Sequence, residues 1–348
     1  MTTAETARPR LLRIGVLGCA RIAREFIDGV APSAAVAVTA VASREPARAR
    51  QFAADHGVAV AYGSYEQLLA SPDIDAIYNP LPNALHAAWS IRALEAGKHV
   101  LCEKPLAISA AEVRAMQTSA NRHGLHLVEA FPYRAQPHAR RLRELLVSGA
   151  IGVPQTVHAA FGFTMQSKGN IRLAPELGGG ALLDAGTYPV SLVRLVAGER
   201  PRRVQAAACW DPSGIDRTLV ATLEHASGLL AQVSCSFATI HHRHAVIAGS
   251  AGSLETGYAN NPPLDRPVLL RLRRGTGWDA REENIELAPL NGFRAEAESF
   301  AALVREGPAH WSGATPAESL DIAATLDAII ASARSGRAVE IADPSPAA

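Results

Sequence analysis

The chain has 348 residues, 48% hydrophobic and 19% charged, an ordinary globular composition at a length that favours two domains over one. Its charges nearly cancel at +1 and form neither a basic stripe nor an acidic tail, so no nucleic acid and no membrane is expected as partner, and a small molecule is favoured. No run reaches the roughly 18 apolar residues of a membrane span, and Met1 to Arg13 lacks the apolar centre of a signal peptide, so a cytoplasmic protein is expected.

The first third alternates short β-branched or apolar runs with helical patterns, the signature of βαβ units around a parallel sheet. Strands are predicted at Leu12 to Leu17, Val36 to Ala42, Ala59 to Tyr62, Ile74 to Asn79, His99 to Cys102 and His126 to Glu129. Helices are predicted between them at Ala20 to Gly29, Pro46 to His56, Tyr65 to Ala70, Ala84 to Ala96 and Ala110 to His123, with Gly57, Gly97 and Gly124 where helices stop. The pattern is that of an α/β Rossmann domain, a doubly wound parallel sheet, over residues 1–131. From 132 to 348 the rhythm changes to an α+β domain with an open, mostly antiparallel sheet. It begins with a helix from His138 to Val147. Strands follow at Thr156 to Thr164, Arg203 to Trp210, Leu219 to His225, Leu229 to Ala238, Ala245 to Ala248 and Val268 to Leu272, interrupted by a helix from Ala181 to Val196. Two late helices, Phe293 to Arg305 and Glu318 to Ser335, close the chain, one of them a candidate to pack back on the first domain, and only the termini are expected to be disordered.

The segment Ile14-Gly15-Val16-Leu17-Gly18-Cys19-Ala20-Arg21-Ile22-Ala23 is an altered G-x-G-x-x-G/A fingerprint, with Gly18, Ala20 and Ala23 in the three special places. In the standard motif the first glycine makes the turn, the second lets a pyrophosphate approach the backbone, and the third packs helix on strand. Alone, the segment reads equally well as a structural strand-turn-helix. At the head of a βαβ series it marks Gly18, Cys19, Ala20, Arg21 and Ile22 as cofactor contacts. Ser43-Arg44 stands at the end of the second strand, where an NAD site carries an acid for the ribose. A guanidinium suits a 2′-phosphate, so NADP is favoured over NAD; a solvent-facing Arg44, or Glu45 serving a ribose, are the other readings. Tyr78 to His86 leaves the fourth strand at the carboxyl edge and offers Pro80, Leu81, Asn83 and His86 to the cofactor, although Asn83 is equally a helix N-cap and His86 reads better as structural than as catalytic.

Ala96 to Leu106 reads as a buried strand that emits Glu103-Lys104-Pro105 at its carboxyl end, and Lys104 is one of three lysines, with Lys98 and Lys168, among 34 basic residues. An ammonium can lose its proton at an accessible pH and a guanidinium cannot. A lysine here binds substrate oxygen or lowers the pKa of a neighbouring acid; a solvated Glu103 and Lys104 pair explains it equally well. Further on, Gly178-Gly179-Gly180-Ala181-Leu182-Leu183-Asp184-Ala185-Gly186-Thr187-Tyr188 runs from a glycine turn into a helix. If regular, that helix presents Asp184 and Tyr188 on one face, as a carboxylate and a phenol for alcohol-carbonyl exchange or as a cap and a core tyrosine. Cys19, Cys102, Cys209 and Cys235 form neither a C-x-x-C pair nor a zinc spacing, and His241, His242 and His244 lack carboxylate partners and fit a strand-end loop, so no metal is expected.

In combination these segments resemble the glucose-fructose oxidoreductase, inositol dehydrogenase and rhizopine-catabolism family, written Gfo/Idh/MocA. The likeness spans nearly the whole chain and rests on Gly15 to Ala23, Ile74-Asp75-Ala76 with Leu81-Pro82-Asn83 and His86, Ala96 to Leu106, Asn170-Ile171-Arg172, and Gly178 to Tyr188. Tyr188, where many members carry histidine, resembles the branch of D-xylose dehydrogenase, dimeric dihydrodiol dehydrogenase and nucleotide-sugar 3-ketoreductase. The resemblance implies an NAD(P)-dependent oxidoreductase with Lys104, Asp184 and Tyr188 as catalytic residues, Glu103 and Lys104 beside the cofactor, and Phe163 and Arg172 joining Asp184 and Tyr188 at the substrate. It also implies a homodimer or homotetramer. Two departures are Ala20 in the middle glycine position and Phe131 to Pro137, which differs from the histidine-rich stretch common in the family.

The activity so implied is hydride transfer between nicotinamide and a sugar or sugar-like alcohol or carbonyl, like that of D-xylose dehydrogenase. Reduction of a 3-keto nucleotide-linked deoxysugar shares every catalytic residue and is the alternative. A non-catalytic cofactor-sensing protein is the alternative of another class, opposed by Lys104 and Tyr188, and a cofactor-dependent glycosidase is a third.

Overall fold

Residues 11–165 and 169–342 are described by a computed structural model; Lys168 and the termini expected to be disordered lie outside the described residues. The alternating pattern of the first third becomes a parallel sheet wrapped by helices. Its elements are β1 (Leu12–Leu17), α1 (Arg21–Val30), β2 (Val36–Ala42), α2 (Pro46–Asp55), β3 (Val60–Tyr62), α3 (Tyr65–Leu69), β4 (Ala76–Asn79), α4 (His86–Glu95), β5 (His99–Glu103), α5 (Ala110–His123) and β6 (Leu127–Ala130). The strand order is β3-β2-β1-β4-β5-β6, so winding reverses between β1 and β4, the switch point at which open α/β sheets bind ligands. Helices cover both faces, which is why strand interiors such as Ile14, Val16 and Leu17 are fully enclosed and read as nearly continuous apolar runs. Local chemistry sets the helix ends: Ser109 caps α5 by accepting from the Glu112 amide, and Gly124 ends it in a left-handed conformation.

The remaining elements are α6 (Pro137–Val147), β7 (Pro154–Thr164), α7 (Thr187–Ala197), β8 (Arg203–Trp210), β9 (Asp216–Glu224), β10 (Leu230–Ser236), β11 (Ala238–Gly249), β12 (Gly252–Thr256), β13 (Val268–Arg274), β14 (Arg281–Leu287), α8 (Gly292–Glu306), α9 (Pro316–Ser335) and β15 (Val339–Glu340). Their sheet has the order β14-β13-β12-β11-β7-β10-β9-β8-β15, antiparallel except where β7 meets β10. One face joins α6, α7 and α9 in a single core through Leu142, Leu192 and Ile329. The other is open, with Val220 52% exposed in a cross-strand row that continues through Ser234 and Ala160 to His244. Helix α8 belongs to the other sheet's core: Phe293, Phe300 and Leu303 pack with Phe26, Tyr78 and Val128. Among the described residues no helix is long and apolar enough to cross a membrane.

Three features differ from the sequence expectation. His241, His242 and His244 lie within the unbroken strand β11 and not in a loop; Ala238 pairs with Thr164 and His242 with Gly162, so β11 bulges between them and its polar residues hid the strand. Strands β12, β14 and β15 carry no prior apolar signal, and β14 is exposed or half-exposed along its whole length. Finally, the predicted helix from Ala181 opens with a π turn at Leu182–Gly186 before α7 begins. Pro189 has no N–H for the carbonyl of Ala185, four residues back, which favours such an irregular start.

Candidate active site

The turn after β1 is built around Gly18, whose φ of 85° favours glycine and whose added Cβ would sit 3.1 Å from the Leu81 side chain. Leu81 arrives from the segment after β4, so the two loops of the switch point touch. Ala20 takes the N-cap position of α1 in an extended conformation that needs no glycine. No side chain caps α1 and its first turn holds no acid, leaving its amides and the positive end of its dipole to an outside anion. Arg21 and Ile22 form that first turn, with Arg21 exposed. At the end of β2, Ser43 is buried with its hydroxyl accepting from the Glu45 amide, while Arg44 is exposed. Arg48, on α2, donates to the Cys19 carbonyl at 3.2 Å, bringing a second guanidinium to this edge. An uncapped helix start and two arginines beside a glycine turn fit a dinucleotide with an added phosphate.

Pro80 and Leu81 are buried in the turn beyond β4. Asn83 does not cap its helix; its amide donates to the Gly178 carbonyl at 2.8 Å, tying this edge to the glycine segment of the second sheet. His86 is fully enclosed, with one ring nitrogen 2.8 Å from the Pro105 carbonyl and the other 2.7 Å from that of Leu81. It staples the loops together, and burial lowers its pKa to about 4. Glu103 is likewise interior, accepting from the Tyr78 hydroxyl at 2.7 Å.

Lys104 follows β5 directly, and its Nζ donates to the Asp184 carbonyl at 2.7 Å and to Asp184 Oδ1 at 3.0 Å. Arg172 donates from Nε to Asp184 Oδ2 at 2.7 Å, so one carboxylate in the π turn holds two cations. Burial would raise the Asp184 pKa, but Lys104 and Arg172 outweigh it and hold the group below its ordinary value. Burial would lower the Lys104 pKa, but Asp184, Tyr188 and Glu103 leave it raised. Lys104 Nζ also lies 4.7 Å from the centre of the Tyr188 ring. The triple glycine lets the segment that carries Arg172 close on the start of the π turn: a Cβ on Gly179 would stand 2.7 Å from the Arg172 carbonyl.

Tyr188, at the start of α7, is 6% exposed, and its hydroxyl accepts from Asn260 Nδ2 at 2.8 Å. Burial raises its pKa against the lowering effects of Lys104, Arg243 and the Asn260 hydrogen bond. Phe161 packs edge-on to Tyr188 at 5.6 Å, and Phe163 is one ring further out, 5.6 Å from Phe161. The structure therefore gathers Lys104, Asp184, Tyr188 and Arg172, with Phe163 at the margin. Arg48, Arg243 and Asn260 escaped the sequence reading. Only Arg48 left a trace there, as a second arginine one helical turn beyond Arg44.

Comparison with known proteins places this geometry. The family model described as "Oxidoreductase family, NAD-binding Rossmann fold" matches residues 12–131, and the one described as "GFO/IDH/MocA C-terminal domain" matches residues 139–255. A D-xylose 1-dehydrogenase (NADP(+)) of Haloferax volcanii is 36% identical over 335 residues, covering 95% of this chain and 100% of that protein. A dTDP-3,4-didehydro-2,6-dideoxy-alpha-D-glucose 3-reductase of Streptomyces violaceoruber is 39% identical over 284 residues, 81% of this chain and 83% of that protein. The crystal structure of a 3-ketoreductase from Actinomadura kijaniata in complex with NADP and TDP-benzene superposes with a TM-score of 0.84 at 32% identity, covering 93% of this chain and 98% of that one.

Proposed function

The chain belongs to the Gfo/Idh/MocA oxidoreductase family, and from that premise we propose that it is an NADP-dependent dehydrogenase of a free aldose or closely related sugar, working reversibly as a carbonyl reductase. It is a nicotinamide-dependent oxidoreductase of sugar-like alcohols and carbonyls. The likeness to the D-xylose dehydrogenase supports the free aldose, and the observation that carries the hydride-transfer chemistry is the hydrogen-bond inventory of Lys104. Two of the three ammonium hydrogens are spent on Asp184, leaving one for a substrate oxygen beside the Tyr188 ring. In the oxidation direction, Tyr188 takes the hydroxyl proton as its phenolate, having first released its own proton to solvent, Lys104 polarises the oxygen as negative charge develops on it, and Asp184 orients Lys104 and Arg172. Bound nicotinamide supplies the hydride acceptor for the substrate carbon. Gly18, Cys19, Ala20, Arg21, Ile22, Pro80 and Leu81 border the dinucleotide in this reading, with Ser43, Arg44 and Arg48 at the added phosphate.

The division into a cofactor part, 1–131, and a substrate part, 132–348, belongs to the same proposal. So do assembly as a homodimer or homotetramer, supported by the open face of the second sheet, and a cytosolic site of action. Likeness to the 3-reductases supports a second reading, reduction of a 3-keto nucleotide-linked deoxysugar. Assaying free aldoses with NADP⁺ against nucleotide-linked ketosugars with NADPH separates the two: turnover of D-xylose or another free aldose is expected, and none with any free sugar sinks the first reading.

A further inference from the structure

Arg243, in the middle of β11, is enclosed by aromatic rings. Its guanidinium carbon lies 4.1 Å from the centre of the Tyr188 ring, 4.7 Å from that of Tyr258, 4.9 Å from Phe161 and 5.7 Å from Tyr133. Its Nε is buried without a partner, NH2 donates to Asn260 Oδ1 at 3.2 Å, and the Tyr188 hydroxyl lies within reach of the same guanidinium. A guanidinium has donors only, so Asn260 must turn its oxygen towards Arg243 and its NH2 towards the Tyr188 hydroxyl. The phenol oxygen thus accepts from Asn260, and its own hydrogen is left for the substrate side. Among the described residues no carboxylate stands beside this enclosed cation, which favours an anion forming next to it; of the three phenols around it Tyr188 is the nearest, while Tyr258 donates to the Ala160 carbonyl and Tyr133 is paired with Ser191.

We propose that Arg243, together with Asn260, is a positioning residue that holds Tyr188 ready to give up its proton. The proposal rests on Tyr188 being the acid-base group. The other groups about the ring are Lys104 and Glu103 at the end of β5, with Asp184 and Arg172 beyond Lys104, Tyr78 of β4, and Phe131, Tyr133 and Phe161; His138 of α6 lies beside Arg243. Lys104 approaches from the first sheet and Arg243 from the second, so the phenol stands between two cations. Both lower its pKa, as does the Asn260 amide, against burial and Glu103.

The test follows Tyr188 directly in NADP⁺-saturated protein labelled with ¹³Cζ-tyrosine, its signal assigned as the one that Tyr188→Phe deletes from the set of 6 tyrosines. Arg243→Gln is expected to raise the titration midpoint by about one unit or more, the shift expected on losing a near charge. Arg243→Lys should restore it in part, and Asn260→Asp, which replaces the donor with a carboxylate, should raise it again. In D-xylose oxidation with NADP⁺, the rate lost by Arg243→Gln should hold steady below the wild-type midpoint and shrink once the pH passes it, because the wild-type phenol is then already ionised. An unchanged midpoint in both Arg243→Gln and Asn260→Asp, or a rate loss that persists undiminished above both midpoints, overturns the proposal. Asn260→Asp leaves the arginine in place and decides the matter if Arg243→Gln does not fold. Full turnover by Tyr188→Phe, or none by the wild type, strikes the underlying reading instead, and the midpoints still report on Arg243.

Discussion

In the cleft, Asp184 has both carboxylate oxygens bound, one by Lys104 and one by Arg172, and stays ionised although only 13% of its side chain is exposed. In the interior, Glu129 places one oxygen on the Leu106 amide and has no partner for the other, and Glu296 of α8 has a partner for neither; both are 1% exposed. Burial raises the Glu129 pKa to about 7 and that of Glu296 well above its ordinary value. The same chemical group is thus held as an anion in the cleft and pushed towards its neutral form in the interior. Burial is common to both regions; the difference lies in whether a cation reaches the oxygens.

The largest effect that would test this contrast comes from the cleft. Replacing Lys104 by Met removes the ammonium from Asp184 and from the reacting oxygen, and turnover should fall about 10²- to 10⁴-fold, the usual scale for a proton-handling group. NADPH binding, read by its fluorescence, should change little, and wild-type rates in that variant would defeat the mechanism. The interior gives the next effect. A carboxyl with a raised folded pKa holds its proton in the native state where the unfolded chain releases it, so stability is full below the ordinary value of 4.5 and declines as pH rises to about 7. Glu129→Gln removes that dependence and should be more stable than the wild type by up to about 3 kcal/mol at a pH of about 8. The two should match at a pH of about 4. Equal differences in Tm at both values would mean that Glu129 does not titrate in this window.

The smallest effect concerns a cation with no carboxylate partner among the described residues. Arg44→Ala should raise the Kd for NADP about tenfold, the loss of roughly one charge-assisted hydrogen bond, and hardly alter that for NAD. Equal losses would show that Arg44 does not read the phosphate.

Legibility in the sequence followed the same physical divide. The strands of the first sheet are covered on both faces, so their apolar runs announced all six within two residues at either end. Strands with one open face or a free edge carry mixed residues; β14 was missed, and β11 was broken at its histidines. Lys104, Asp184 and Tyr188, which the structure brings together, were singled out in the sequence through the motifs of the family it resembles. The π turn that places Asp184, and the convergence of rings from four segments on Arg243, depend on tertiary contacts that no local pattern encodes.

Helix α8 gives the chain an order of completion. Phe293 meets Phe26 edge-on at 6.2 Å, Ser33 donates to Glu298 at 2.9 Å, and Arg305 reaches the Ala35 carbonyl at 2.8 Å, so residues near 300 finish a hydrophobic core begun before residue 30. During synthesis the nucleotide-binding sheet leaves the ribosome first, yet its flank stays bare until α8 emerges. At ordinary elongation rates that interval is on the order of ten to thirty seconds. The half of the protein made earliest is therefore sealed late, and a nascent chain stalled between the two would present an uncovered apolar face to chaperones and proteases.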